Sequence, residues 1–140
     1  MIRLSTLGAV VAAAGLAASS SASAQGDPSI NGVWRNPKNS VHVEIKPCPA
    51  GACGYVVWAT EKAKQDAREG GTKQLVGLQL LQDFSQDKKG TWRGKVFVPD
   101  LNRTFTGQAE LAGPTILKAK GCFVILCKSQ TWTRIDGRNG

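Results

Sequence analysis

The chain has one histidine, His42, and Glu44 follows it two residues later. Residues two apart on a β-strand share a face, so this pair could be a general base with its orienting carboxylate, or two metal ligands. However, Val41, Val43 and Ile45 alternate with them, which is typical of a strand with one buried and one solvated face. The chain also has no H-E-x-x-H motif, phosphate-binding glycine loop or serine nucleophile elbow. We therefore predict a non-enzyme with no catalytic residue, no metal and no cofactor.

Four cysteines form two C-x4-C pairs, Cys48 with Cys53 and Cys122 with Cys127. A four-cysteine zinc site usually has C-x2-C spacing, so the pattern favours disulfides in an oxidising compartment. Thiols held in disulfides cannot act as nucleophiles. Three pairings of four cysteines are possible, and spacing alone leaves them open.

The N-terminus has the three parts of a secretory signal peptide. Arg3 precedes an apolar run over 4–18, and small residues follow to Ala22-Ser23-Ala24. The apolar run is shorter than the roughly 20 residues of a membrane-spanning helix. We predict a signal peptide over 1–24, cleaved after Ala24, and a single exported domain over 25–140, periplasmic or secreted.

The formal net charge is +8 at pH 7. Outside the cytoplasm this charge suits anionic lipid headgroups, acidic glycans or anionic small molecules better than nucleic acid. The basic residues are scattered along the chain, so simple solubility explains the charge equally well.

Short alternating segments separated by turn residues predict about eight strands, as in a β-sandwich or a closed barrel. The segments are NGVWR, 41–46, CGYVVWAT, QLVGLQLL, TWRGKVFV, RTFTGQAEL, ILKAKG and CKSQTWTRI. One polar segment predicts a short helix with Thr60 as N-cap and Gly70-Gly71 as the stop. Glycines inside the strands favour a barrel, because a closing sheet must coil sharply: Gly77, Gly94, Gly107 and Gly121. The predicted fold is a small all-β, antiparallel up-and-down barrel.

A barrel whose side chains do not fill its interior has a ligand cavity. Aromatic residues are abundant for a chain of this size, and most must be core. We predict that Tyr55, Trp58, Trp92 and Phe105 line such a cavity.

Two motifs resemble those of the lipocalin-like, or calycin, barrels. Gly32-Val33-Trp34 begins the first predicted strand, and Trp132-Thr133-Arg134 lies in the last. The resemblance implies that Arg134 packs over Trp34 and closes one end of the barrel, where a desolvated cation–indole contact contributes about 1 kcal/mol or more.

A second resemblance covers nearly the whole predicted mature chain. The segments GVWRNP, CGYVVWA, LVGLQLL, GTWRGKVFVPD, TFTGQAEL and KAKGCFVILCKSQTWTRI follow one another as in DUF2147, a family of exported bacterial domains of unknown function. The resemblance implies a lipocalin-like barrel in the cell envelope, and it carries no activity or catalytic residues. The chain departs from the family's pattern at KQDAREGGTKQ, where only Asp66 and Arg68 could correspond to an expected aspartate-asparagine-arginine loop.

The segment GCFVILC allows two conformations. In one continuous strand, Cys122 and Cys127 would lie roughly 16 Å apart and each would need another partner. In a hairpin they would face each other within disulfide range. A two-residue turn would place β-branched Val124 and Ile125 at positive φ. We therefore predict a four-residue loop, Phe123–Leu126, with a Cys122–Cys127 disulfide at its base.

These observations give a leading function and two alternatives. The leading hypothesis is a non-enzymatic barrel that binds a small hydrophobic or amphipathic ligand, for which the charge favours an anion. The second is an envelope interaction module that docks, as a peripheral contact, through the apolar tip Phe123, Val124, Ile125 and Leu126 or through the basic surface. An enzyme is third, since no pairing of catalytic groups is visible.

Overall fold

The computed structural model describes residues 8–10, 12–15 and 29–136. The charged start of the predicted signal peptide and its cleavage site after Ala24 lie outside the described residues. Within those ranges, no helix is long and apolar enough to span a membrane. The elements are β1 (Gly32–Arg35), β2 (Val41–Cys48), β3 (Gly51–Ala59), α1 (Glu61–Glu69), β4 (Gln79–Gln86), β5 (Trp92–Val98), β6 (Arg103–Gly113), β7 (Ile116–Phe123) and β8 (Leu126–Arg134).

The strands form a closed barrel in sequence order, and every neighbouring pair is antiparallel. Closure between β1 and β8 uses two residue pairs, Trp34 with Arg134 and Arg35 with Thr133. The prediction of a small up-and-down barrel with one short helix is confirmed. Because β8 begins at Leu126, most of its length extends beyond the ladder that closes the barrel.

One strand boundary was predicted wrongly. The segment QLVGLQLL suggested a strand over 74–81, but β4 begins at Gln79. Gly77 has a left-handed φ of 93°, which ends extended backbone before the strand starts. Leu75 is buried in the core, so this apolar run belongs partly to a loop that packs on the barrel.

The helix has the predicted limits. The Thr60 hydroxyl accepts a hydrogen bond from the Ala63 amide at 3.1 Å, and Gly70 is the C-cap. Ala67 is fully buried, and the Thr72 hydroxyl donates to the Pro99 carbonyl at 2.8 Å. These contacts hold α1 across one end of the barrel beside the β5–β6 turn.

The core follows from the two-residue period of the strands. Val43 and Ile45 point inward from β2 while His42 and Glu44 point outward, as the alternation predicted. Val56 and Phe84 add two of the largest fully buried side chains. The interior therefore packs densely against β2, β3 and β4, on one side of the barrel.

Candidate ligand-binding cavity

Strands in an up-and-down barrel alternate in direction, so their connections lie at two opposite ends. The open end contains residues 36–40, 60–78, 99–102 and 124–125. The closed end contains residues 49–50, 87–91 and 114–115, together with the segment 29–31 before β1.

Trp34 and Arg134 occupy the closed end. Trp34 is completely buried, and the Arg134 guanidinium carbon lies 4.3 Å from its ring centroid. The Arg134 guanidinium donates hydrogen bonds to the backbone carbonyls of Pro114 (2.8 Å), Asn31 (2.6 Å) and Ser29 (2.5 Å). The arginine thus joins the β6–β7 turn, the segment before β1 and the last strand.

Gly32 is required at this end by the packing of the arginine. Its φ is 141°, and a Cβ there would overlap Arg134 Nη1 and lie 2.6 Å from Asp136 Oδ2. Asp136 also accepts a hydrogen bond from the Val33 amide at 3.0 Å. The Gly-x-Trp motif and the late arginine are therefore parts of one packed unit, as the lipocalin-like resemblance implied.

A row of glycines crosses the inner wall of β5, β6 and β7. The strand registers pair Gly94 with Gly107, Gly107 with Gly121, and Gly121 with Lys128 of β8. The Phe84 ring fills the space over Gly94, where its Cδ2 lies 2.5 Å from an ideal Cβ position. An ideal Cβ on Gly121 meets nothing within 4 Å. The inner wall is consequently bare at Gly121 of β7, three residues before the turn at the open end.

The neighbouring row toward the closed end is also made of short side chains. Ala109 pairs with Ala119, and Ala119 pairs with Gln130. Glycine and alanine reach so little into the interior that the other half of the barrel stays unfilled.

A cavity of about 1060 Å³ results, and it extends from the Trp34 floor to the open end. This volume lies at the upper limit of pockets for small organic ligands, which run from about 300 to 1,000 Å³. The wall is mostly apolar, and its main apolar side chains are Trp34, Val43, Ile45, Leu80, Leu81, Phe84, Val96, Val98, Phe105, Leu117, Phe123, Leu126 and Trp132. The cavity can therefore enclose the apolar part of a ligand.

The rim of this cavity is basic. Of its charged lining residues, four are cations, Lys38, Arg103, Lys120 and Lys128, and one is an anion, Asp100. Lys128 shares its face with inward Gly121, yet it is exposed because β8 continues beyond its short ladder with β1. The cavity is thus open along β8, and the Lys128 ammonium lies at this opening.

The structure places the four predicted lining residues differently. Phe105 lines the cavity, whereas Tyr55, Trp58 and Trp92 do not. Tyr55 pairs with Glu44, which points outward. The Lys46 ammonium lies over the Tyr55 ring, 4.8 Å from the ring centroid. These three assignments were wrong as lining, because strand faces could not be fixed from the aromatic residues alone.

The other two misplaced aromatics have different causes. A β-bulge in the β2–β3 ladder adds Val57, so Trp58 pairs with His42 on the outer face and is 43% exposed. Trp92 pairs with inward Ala109, but its ring packs against the core beside Gly51. For Trp58, the bulge exchanges the inward and outward faces of the strand after it. For Trp92, the alternation gives the correct face but not the position of the ring along the barrel.

The GCFVILC segment is a hairpin with a Cys122–Cys127 disulfide, as predicted. The predicted four-residue loop is wrong, because Phe123 pairs with Leu126 and only Val124 and Ile125 form the turn. Val124 adopts a φ of 55° and Ile125 does not have a positive φ. One of the two central residues of this turn thus has the positive φ that β-branched residues resist.

The second disulfide joins Cys48 and Cys53 across the β2–β3 hairpin. Asp83 has a carboxylate oxygen within 4.8 Å of both sulfur atoms. Cys48, Cys53 and Asp83 form the one cluster within the described ranges that could hold a metal. Both of its sulfur atoms are bonded to each other in the disulfide.

His42 lies on the outer wall, away from the cavity lining. Its ring stacks on Trp58 with centroids 4.4 Å apart, and its Nε2 lies 2.7 Å from Asn39 Oδ1. Burial and then the charge of Arg35 lower the pKa of His42. Glu44 is near Lys46 at 3.9 Å rather than near the imidazole, so no base–carboxylate pair forms.

Sequence reasoning missed Trp132, Gln130 and Lys128 as lining residues. A signal was available, because Arg134 was already assigned to the closed end. Residues two, four and six positions before it share its inward face on a regular strand. Applied to β8, this rule selects all three.

An antiparallel barrel with a tryptophan–arginine closed end and an apolar cavity at the other end has the architecture of a lipocalin-like barrel. Protein HP1028 from Helicobacter pylori, described as belonging to the lipocalin family, has a solved structure with a TM-score of 0.64 to this chain. The two are 14% identical, and the match covers 79% of this chain and 86% of that chain. No curated protein matches this sequence.

The sequence also matches a family directly. Residues 32–134 match the profile of an uncharacterized protein conserved in bacteria, DUF2147. The match extends from the first residue of β1 to the last residue of β8. The chain therefore belongs to the DUF2147 family, and its fold is lipocalin-like.

Proposed function

We propose that this protein is an exported, periplasmic or secreted, binding protein that holds a small amphipathic ligand inside its barrel. The supporting observation is the cavity itself. Two rows of glycine and alanine leave about 1060 Å³ between a tryptophan floor and a basic rim. The two disulfides and the bacterial family are consistent with export.

The chemistry of the wall favours one class of ligand. The apolar part lies over the glycine row, between Phe105 and Trp132. The polar part lies at the rim, where Arg103 and Lys128 share the inward face. Guanidinium and ammonium groups bind carboxylate or phosphate oxygens by charge-assisted hydrogen bonds. An amphipathic anion fits both regions.

Binding without catalysis fits the distribution of reactive groups. Asp100 is the carboxylate among the described lining residues, and its charged neighbours at the rim are cations. His42 lies on the outer wall in contact with Trp58. A reaction needs a nucleophile, base or acid aligned at a common point, and the lining supplies an apolar surface instead.

The test uses an anionic, apolar fluorophore, 1-anilinonaphthalene-8-sulfonate, as the probe. Gly121→Trp places a large side chain in the cavity, because Gly121 lines it and an ideal Cβ there meets nothing within 4 Å. We expect this variant to weaken probe binding by roughly tenfold or more. Gly113→Trp is the matched control, since Gly113 is also open but does not line the cavity.

Native ligands are sought separately by mass spectrometry of protein incubated with envelope extract. The same molecule retained by the wild type and by Gly113→Trp, but not by Gly121→Trp, supports the proposal. Equal probe binding by all three proteins, with no molecule retained by any of them, contradicts it.

A further inference from the structure

The hairpin between β7 and β8 exposes an apolar tip, Phe123–Leu126, at the open end. Val124 is 83% exposed and Ile125 is 94% exposed. Neither lines the cavity, whereas Phe123 and Leu126 form part of its mouth. The Cys122–Cys127 disulfide lies directly below these four residues, so the tip is held in one geometry.

The turn is made from residues that suit its conformation poorly. Val124 has a φ of 55°, a region that β-branched residues resist and that Asn or Gly adopts readily. A polar residue would therefore satisfy both the backbone and the surrounding water better. An apolar side chain at such a strained, exposed position points to a contact made by that side chain.

The mouth around the tip has a net positive charge, since four of its charged lining residues are cations and one, Asp100, is an anion. Arg103 precedes Phe105 by two residues on β6, and the Phe105 ring packs edge-on against the Phe123 ring with centroids 5.5 Å apart. This places Arg103 beside the turn. Lys128 follows the tip on β8, and Lys38 lines the same mouth from the β1–β2 turn. An apolar tip next to several cations is complementary to a surface with negative headgroups over an apolar interior.

We propose that the open end docks on an anionic lipid bilayer, with Val124 and Ile125 entering the boundary between headgroups and acyl chains. Arg103, Lys38 and Lys128 then approach the lipid phosphates, and the cavity mouth faces the membrane. A bilayer suits this tip better than a protein partner does. Stable protein interfaces bury about 800 Å² on each side with close shape complementarity, whereas a fluid lipid surface accepts a single protruding turn.

The test is flotation of the protein with vesicles of two compositions. One is phosphatidylcholine alone, and the other is phosphatidylcholine with phosphatidylglycerol at roughly a three-to-one ratio, in about 0.15 M salt. We expect binding to the anionic vesicles, and a several-fold loss when the salt is raised. Val124→Asn/Ile125→Asn should reduce the partition coefficient by roughly tenfold or more, because two apolar side chains no longer enter the boundary.

Two controls separate this proposal from general destabilisation and from the cavity. Val57→Asn removes an exposed apolar side chain from the outer wall and should bind vesicles as the wild type does. Val124→Asn/Ile125→Asn should keep its affinity for the anionic fluorophore, since neither residue lines the cavity. Gly121→Trp should do the reverse, losing the fluorophore while still binding vesicles. Docking and ligand binding can therefore fail independently.

Three results overturn the proposal. One is equal vesicle binding by the wild type and the tip variant, and another is equal binding to neutral and anionic vesicles. The third is a chain that binds no vesicles but forms a dimer that the tip variant dissociates, which assigns the tip to a second copy of the protein.

Discussion

The closed end offers a stringent test of what holds the barrel together, through the substitution Arg134→Met. The side chain of Arg134 is almost completely buried, at 2% relative exposure. Methionine retains an unbranched apolar stem over Trp34 but supplies no hydrogen-bond donor. The carbonyls of Pro114, Asn31 and Ser29 then lose the guanidinium they contact now. The barrel is closed at this point by only two residue pairs between β1 and β8.

The size of the effect follows from these contacts. Hydrogen bonds to a charged group contribute about 1.5–3 kcal/mol each, and a desolvated cation–indole contact contributes about 2 kcal/mol. Such contributions overlap when one side chain makes all of them, and removing one member of a buried ionic cluster typically costs about 3–5 kcal/mol. We therefore expect Arg134→Met to lower the free energy of unfolding by about 4 kcal/mol. The melting temperature should fall by on the order of 15 °C or more.

Urea denaturation followed by tryptophan fluorescence, with both disulfides intact, measures this change. The matched control is Arg35→Met, which removes an exposed arginine from the neighbouring position on the outer face. It should change the unfolding free energy by no more than about 0.5 kcal/mol. A cost below about 1 kcal/mol for Arg134→Met, or a cost equal to that of Arg35→Met, refutes the reasoning that this arginine secures the closure.

Three further predictions concern the hairpin and the outer wall. Val124→Asn should raise the unfolding free energy by up to about 1 kcal/mol, since asparagine adopts the left-handed backbone with less strain; a lower melting temperature than the wild type contradicts this. Cys122→Ser/Cys127→Ser should lower the unfolding free energy by about 2 kcal/mol through loop entropy, and a urea midpoint unchanged from the wild type argues against it. The lowered pKa of His42 means that the unfolded state takes up this proton first. Stability should therefore decline as the pH falls below about 6.5, the ordinary pKa of the imidazole. Parallel urea titrations of the wild type and His42→Gln should show that the variant lacks this part of the decline; the same pH dependence in both proteins excludes His42 as its source.

The fold was accessible from the sequence because its signals are local and repeated. Alternation along β2, the N-cap at Thr60 and the stop at Gly70 each depend on neighbouring residues. Even the long-range pairing of Trp34 with Arg134 was accessible, but through resemblance to lipocalin-like barrels rather than through spacing. The misassigned start of β4 shows the limit, since the apolar run before it packs from a loop.

The cavity was harder to derive because it depends on small residues rather than large ones. The prediction selected Tyr55 and Trp58 because they are large aromatic residues. The strand alternation places Tyr55 on the outer face of the barrel, and the β-bulge places Trp58 on the same face. The informative residue was Gly121, which pairs with Gly107 on β6 and where an ideal Cβ meets nothing within 4 Å. That pairing requires the register between strands, which no single strand encodes. Glycines in strands predict a coiled, closing sheet, but they do not show where its wall is bare.

The closed end of the barrel carries the stabilising contacts, and the open end carries the cavity mouth and the apolar tip. Stabilising contacts concentrate at the closed end, where Arg134 links three segments of chain and Trp34 is fully buried. Because closure needs only two residue pairs there, the first residues of β8 remain available at the open end. This freedom exposes Lys128 beside the cavity and carries the apolar tip beyond the rim. A longer β1–β8 ladder would strengthen closure, but it would cover the opening of the cavity along β8. The short closing ladder is therefore the structural condition for an accessible cavity.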